Sequence, residues 1–205
     1  MISSRLSFVV MALALGACGG AAFYMRPAPE EALPSPSDGQ ALIVFVMPEA
    51  GRTPLTIFDE MGVYFGQIRG RTWLAREVSP GDHRFYVVRN VSGHVVHAEG
   101  LRAGRTYYVV AEDPLVAHFR WRALRCDEDG DSLRARSSHV EPDPSVSEAD
   151  VRRSIGDEPM RMHEADQRWD AMTAGESDAR TLRDCEPPAS DVPAPTVSPE
   201  ITVTS

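Results

Sequence analysis

Seven consecutive apolar residues, Ala41-Leu42-Ile43-Val44-Phe45-Val46-Met47, are rich in β-branched and aromatic side chains and are closed by Pro48. A run without a polar face reads as a strand buried on both sides, the central one of its sheet. The stretch around it follows the same grammar of short strands and turns. Leu55-Thr56-Ile57-Phe58 and Val63-Tyr64-Phe65-Gly66-Gln67-Ile68 flank Asp59-Glu60-Met61-Gly62, the spacing of a hairpin with a four-residue loop. Residues 72–78 lead into Ser79-Pro80-Gly81-Asp82, where Pro presets φ at one corner and Gly accepts positive φ at the next, so the chain can reverse. Beyond that turn Phe85 and Val87 share one face, and Arg84, Tyr86 and Val88 the other.

A further turn at 90–93 precedes Val95-Val96, and Ala103-Gly104 precedes the strand at 106–111. In the last strand Ala117, Phe119, Trp121 and Ala123 alternate with His118, Arg120 and Arg122, as one wet face requires. About seven or eight short strands with turn signals roughly every ten residues predict an all-β fold, a small antiparallel β-sandwich over residues 40–125.

The opening run 41–46, Gly66-Gln67-Ile68 with Trp73, Ser79-Pro80-Gly81-Asp82-His83 and Ala103-Gly104-Arg105-Thr106-Tyr107-Tyr108-Val109 together resemble an uncharacterised bacterial lipoprotein domain family, similar in build to PEGA-type β-sandwich modules. The resemblance spans 40 to about 124 and implies a small sandwich on a lipid anchor. It implies no activity and no ligand. Members of that family often carry Arg before the proline ending the first strand; here that residue is Met47.

Charge separates the chain into unlike parts. Residues 40–125 hold 11 basic and 8 acidic groups, whereas 126–205 hold 8 basic and 19 acidic, within a net charge of −9 for the whole. The acidic total argues against a nucleic-acid partner, because phosphate neutralisation needs a basic face. The weakly basic strand region leaves a small anionic ligand open.

At the N-terminus Arg5 precedes an apolar stretch, residues 6–15, too short to span a bilayer. It is followed by Leu15-Gly16-Ala17-Cys18, which resembles the lipobox of bacterial lipoproteins. That resemblance implies a signal peptide over 1–17, diacylation of Cys18 and anchoring by several acyl chains. Gly19 in place of Asp favours passage to the outer membrane, with the body facing the periplasm. Two other readings stay open: an uncut transmembrane helix over 6–25, and a secretory cut near Ala22. Residues 18–39, Pro-rich from Arg26 onward, read as a semi-rigid tether, extended by ~3 Å per residue.

No catalytic constellation, metal set or cofactor motif emerges from the residues. His83 belongs to the Pro-Gly turn, which explains it without a site, although it could face a ligand. His94 and His97 stand three apart in a strand, on opposite faces, and cannot chelate one ion; they read as exposed β surface. Asp127-Glu128-Asp129-Gly130-Asp131 looks like half a calcium loop, but Arg125 and Arg136 occupy two positions where such a loop needs acids. Arg120, Arg122 and Arg125 form a basic stripe that either pairs with this cluster or meets an anionic glycan or lipid headgroup. Asn90-Val91-Ser92 matches a glycosylation sequon, which is dismissed in a chain that resembles bacterial lipoproteins. With Cys18 acylated, Cys126 and Cys185 remain, and an oxidising compartment suggests a disulfide worth about 4 kcal/mol in the chain-entropy model; two free thiols are the alternative.

The segment 126–186 reads as acidic and partly helical. Ser147 with Asp150 resembles a capping box for a short helix carrying Val151 and Ile155 and stopped by Gly156. Pro159 opens a second helix with Met162, Trp169 and Met172 on one stripe, ended by Gly175. Ser177 caps a third over 179–184. These thin stripes predict docking on the strands with Trp169 as main anchor, and residues 187–205 predict a disordered tail. The functional expectation is a lipid-anchored envelope protein, a non-catalytic binding or scaffolding module with an envelope protein or glycan partner. An envelope hydrolase or metal-dependent enzyme and a mechanical spacer between membrane and wall are the alternatives.

Overall fold

The structure is a computed structural model that describes residues 23–29, 32–89, 92–112, 120–125, 128–155 and 158–183. Its strands are β1 (Met25–Pro27), β2 (Ala41–Met47), β3 (Leu55–Phe58), β4 (Tyr64–Ile68), β5 (Thr72–Val78), β6 (Gly81–Arg89), β7 (Ser92–Leu101), β8 (Thr106–Glu112), β9 (Arg120–Ala123), β10 (Ser138–Pro142) and β11 (Thr181–Leu182). The helices are α1 (Gly130–Arg134), α2 (Glu148–Ile155), α3 (Glu158–Asp170) and α4 (Ala174–Ala179). The strands form two sheets, ordered β1-β10-β5-β2-β8-β9 and β11-β7-β6-β3-β4.

As the apolar run predicts, β2 lies inside its sheet and every one of its residues is buried. Ile43, Phe45 and Met47 point toward the second sheet, where Ile57, Phe85, Val87 and Val96 meet them in one core. Phe45 stands edge-on to Phe85, with ring centres 5.6 Å apart, and to Trp121 at 6.3 Å. Edge-to-face pairs of this kind add to the stabilisation from burial alone. The alternate residues Leu42, Val44 and Val46 form a separate apolar layer on the outer face with Trp73 and Val110. Leu33 and Leu133 cover that layer.

The expected antiparallel sandwich is corrected in two respects. Both sheets are mixed, since β2 pairs parallel with β8, β10 with β5 and β11 with β7. Strands from outside residues 40–125 also complete them: β1 comes from the stretch read as a tether, and β10 and β11 from the segment read as acidic and partly helical. The β1 residues are in register with β10, Met25 is buried, and Tyr24 N donates to the Gln67 carboxamide at 2.8 Å. Gln67 in turn donates to Thr56 at 3.0 Å, so this buried polar set is internally satisfied. Further along the same stretch, Ser37 donates twice to Glu77 at 2.7 Å.

The hairpin at 59–62 forms as read: Asp59 Oδ1 accepts from the backbone N–H of Met61 and Val63 at 2.9 and 2.7 Å, and Gly62 takes φ +72°. The Pro80-Gly81 turn has another role. It carries the chain from β5 in the first sheet to β6 in the second, so it is a corner between sheets and not a hairpin.

The helical segment docks on the second sheet. Met162, Ala165 and Trp169 of α3 lie over Phe58, Tyr86, Val88 and Val95. Ala165 is the buried contact of the three, whereas Trp169, the anchor expected from sequence, is half-buried and stands edge-on to His97 at 5.8 Å. Close approach is possible because Gly93 faces the helix: a Cβ there would stand 2.4 Å from the Arg161 carbonyl oxygen. Two helix boundaries differ from expectation. Gly175 lies inside α4, whose start is held by Thr173, with its N–H and Oγ1 both donating to Glu176 at 3.1 and 2.9 Å. The third helix read at 179–184 is replaced over Thr181–Leu182 by β11, while 184 onward lies outside the described residues, as do Gly156 and the 187–205 tail.

Gly93→Ala forces α3 away from β7. Its thermal midpoint is expected to fall by several degrees, about 2–4 °C per kcal/mol lost in a chain of this size, and an unchanged midpoint in a calorimetric scan contradicts the close-packed helix.

Candidate functional site

On the outer face of the second sheet, the β3–β4 loop, β6, α2 and α3 enclose an open cleft of about 370 Å³. Glu60, Met61, Gly62, Tyr86, Arg152 and Asp166 line it, with His163 on its helical wall. Strand alternation puts Arg84 and Tyr86 outward, because Phe85 and Val87 are committed to the core. Asp166 follows the buried Ala165 on α3, and its carboxylate accepts from the Tyr86 hydroxyl at 3.0 Å and from Arg84 Nη1 at 3.0 Å. Burial, and then the hydrogen bond to Asp166, raise the Tyr86 phenol above its ordinary value, so it is a neutral donor at physiological pH. Burial works against the Arg84 charge, but the Tyr86 and Asp166 partners outweigh it and hold its pKa above the ordinary value.

The opposite wall comes from α2. Ser147 Oγ accepts from Asp150 N at 3.2 Å and donates to the Asp150 side chain at 2.6 Å, opening the helix as the capping-box reading predicts. Arg152, one turn on, donates to the Gly62 carbonyl and to Glu148 at 2.8 Å. Its guanidinium also lies 6.0 Å from the Phe58 ring. The Arg152 bond lowers the Glu148 carboxyl below its usual range. The elements that form the cleft carry three large apolar side chains in solvent: Met61 at 81% exposure and Val63 at 48% between β3 and β4, and Met160 at 55% on α3.

The sequence-named residues fall in different places. His83 sits at the corner between sheets, where Nε2 lies 2.8 Å from the Ser79 carbonyl and Nδ1 3.2 Å from Glu60 Oε1. It thus touches the cleft only through Glu60. Arg120 and Arg122 are far from it in topology, on β9 at the edge of the first sheet. Arg122 is fully engaged, with Nε donating to Glu112 at 2.7 Å and its two terminal nitrogens gripping Glu128 at 2.5 and 2.9 Å. Of the alternatives read for the basic stripe, Arg122 follows the pairing one. Arg120 is exposed.

His94 and His97 point to opposite faces as alternation demands, yet both are half-buried, so the reading as exposed surface is corrected. Asp129 caps α1, accepting from Asp131 N at 3.0 Å and Ser132 Oγ at 2.5 Å, which accounts for the half-calcium pattern as a helix start. Among the described residues no three His, Cys, Asp or Glu side chains converge as a metal set would require. Cys18, Cys126, Cys185, His118 and Asp127 lie outside the described residues.

The cleft can therefore recognise through hydrogen bonds, charge and apolar contact. Tyr86, Arg84 and Asp166 were missed in the sequence because eighty residues separate Tyr86 from Asp166 and neither falls in a local motif. No family model matches the chain, and no curated protein matches it in sequence.

The Arg122 grip is the main reason the Glu128 carboxyl sits below its ordinary value of 4.5. A carboxyl with a depressed folded pKa contributes stability above its unfolded value, and that contribution disappears as pH falls through the folded one. Acidification below 4.5 is thus expected to lower the midpoint of the wild type more steeply than that of Glu128→Gln. Parallel curves in a thermal scan against pH would contradict this.

Proposed function

We propose that this chain is a lipid-anchored protein of the cell envelope whose two-sheet body binds a partner or ligand without transforming it. The observation that supports this most is the composition of the α2–α3 cleft. Arg84 and Tyr86 are satisfied by Asp166 and Arg152 by Glu148, while Met61 in the cleft, and Val63 and Met160 on the elements that form it, stay exposed. Mutually paired groups such as these position a surface, and their pairing does not activate a nucleophile. Exposed methionines suit adaptable contacts with another molecule.

The anchor is Cys18, and this part of the reading rests on the lipobox resemblance, with the outer membrane as destination and the periplasm as the facing side. Likeness to the lipoprotein domain family with a PEGA-like build belongs to the same proposal and rests on the strand and turn motifs alone. Because β1 begins at Met25 and Phe23 already stacks under Arg69 at 4.3 Å, only five residue steps separate Cys18 from the body, a reach of at most roughly 17 Å. That short lead disfavours the spacer reading and holds the body near the leaflet.

In cells, a fatty-acid probe is expected to label the wild type and to leave Cys18→Ala unlabelled and released from the membrane; equal labelling overturns the anchor. For recognition, a photo-crosslinker at Met61 is expected to trap a defined partner whose yield falls several-fold with Met160→Glu. Yield no higher than from a crosslinker at exposed Arg102 removes the cleft from consideration.

A further inference from the structure

The two sheets are closed on one side by their edge strands, β9 of the first and β11 of the second, which lie against each other. Leu124, just after β9, and Leu182 with Arg183, at the end of β11, line one small cavity, so the C-terminal ends of these strands meet there. Their N-terminal ends, which carry Arg120 and Arg180, then lie together at the other end of the seam. Trp121 and Leu182 are both buried in the common core and fix the two strands from beneath.

Two neighbouring arginines, Arg122 after Trp121 and Arg183 after Leu182, have acidic partners. Arg122 holds Glu112 and Glu128, and Arg183 holds Glu99 at 3.2 Å and Asp178 at 3.0 Å. Arg180 differs. Its Nη1 is shielded from solvent and has no acceptor among the described residues. Among the described residues, no carboxylate lies within ion-pair distance of Arg180 or Arg120. The acid that acts on Arg180 from nearby is Glu176, and its carboxylate is taken up by Thr173. A buried donor left idle costs on the order of 1–3 kcal/mol, more when charged, so a guanidinium kept in this position calls for an acceptor from outside.

We propose that Arg180 and Arg120 form an oxyanion site that holds a phosphate group at the N-terminal end of the β9–β11 seam. Two planar forks at the same end of the seam suit a tetrahedral, multiply charged group better than a carboxylate, which one arginine satisfies alone. Burial lowers the Arg180 pKa, and the nearby Arg120 charge lowers it further, a repulsion that a bound anion relieves. Phosphate free in solution and phosphate on a lipid headgroup present the same chemistry to the arginines. This site does not depend on the α2–α3 cleft or on acylation of Cys18.

The test is a thermal-shift titration of the purified full chain, at constant ionic strength, with two probes: inorganic phosphate, and dihexanoyl-phosphatidylglycerol below its micelle concentration. The wild type is expected to gain stability with one or both, and the probe that acts identifies the source. Arg120→Gln, on an exposed strand position that leaves folding intact, and Arg180→Gln are each expected to raise the half-effect concentration about tenfold or more, the scale of a lost charge-assisted contact. Arg180→Met should lose the response while matching or exceeding the wild-type midpoint without ligand, because it removes the idle donor. Absence of a response to both probes, or a response unchanged in the Arg120→Gln/Arg180→Gln double variant, overturns the site.

Discussion

A strand with no polar face must be covered twice, and that requirement at β2 organises the molecule. Its inward residues are met by the second sheet through the Phe45, Phe85 and Trp121 contacts. Its outward residues are covered by Leu33 and the α1 region, with Trp73 beside them, itself stacked on His139 with ring centres 3.8 Å apart. The second sheet then has an outer face of its own, where Phe58, Tyr86, Val88 and Val95 would be exposed without α3. The regions on either side of the strand-rich middle are therefore needed to finish layers that the middle leaves open.

Charge follows the same division. The weakly basic strands and the acidic segment meet through Arg84 with Asp166 and Arg122 with Glu128. Each pair lies partly in solvent and adds modestly to stability. Their larger effect is on placement: Asp166 sets the rotation of α3 over β6, and Glu128 ties the start of α1 to β9. The Arg120–Arg180 end of the seam stands out against this pattern because, among the described residues, the acidic segment brings no carboxylate within ion-pair distance of either arginine.

Much of the strand framework was legible because local rules agreed with the final packing. The buried β2, the alternation in β6 and the Asp59–Gly62 hairpin all follow from period, turn chemistry and burial within a few residues. The three short strands β1, β10 and β11 were not legible, since two to five residues carry no usable period and their identity as strands comes from the neighbours they pair with. Pro80-Gly81 shows a second limit: the same corner chemistry serves a hairpin or a change of sheet, and only the partners of β5 and β6 distinguish them. Gly175 shows a third, for a glycine read as a stop is carried inside α4 once Thr173 and Glu176 define its start. The candidate cleft escaped for a related reason, because Arg84, Tyr86 and Asp166 become a set only after α3 docks.

The claim that the flanking regions belong to the same folding unit as the central strand is tested most directly by native-state hydrogen exchange in increasing urea. The account predicts that amides of Ala41–Met47 and those of β10 and α3 near Val140 and Ala165 converge on one opening free energy and one urea dependence. Exchange of β10 and α3 through a separate, low-energy opening that leaves β2 fully protected would contradict it.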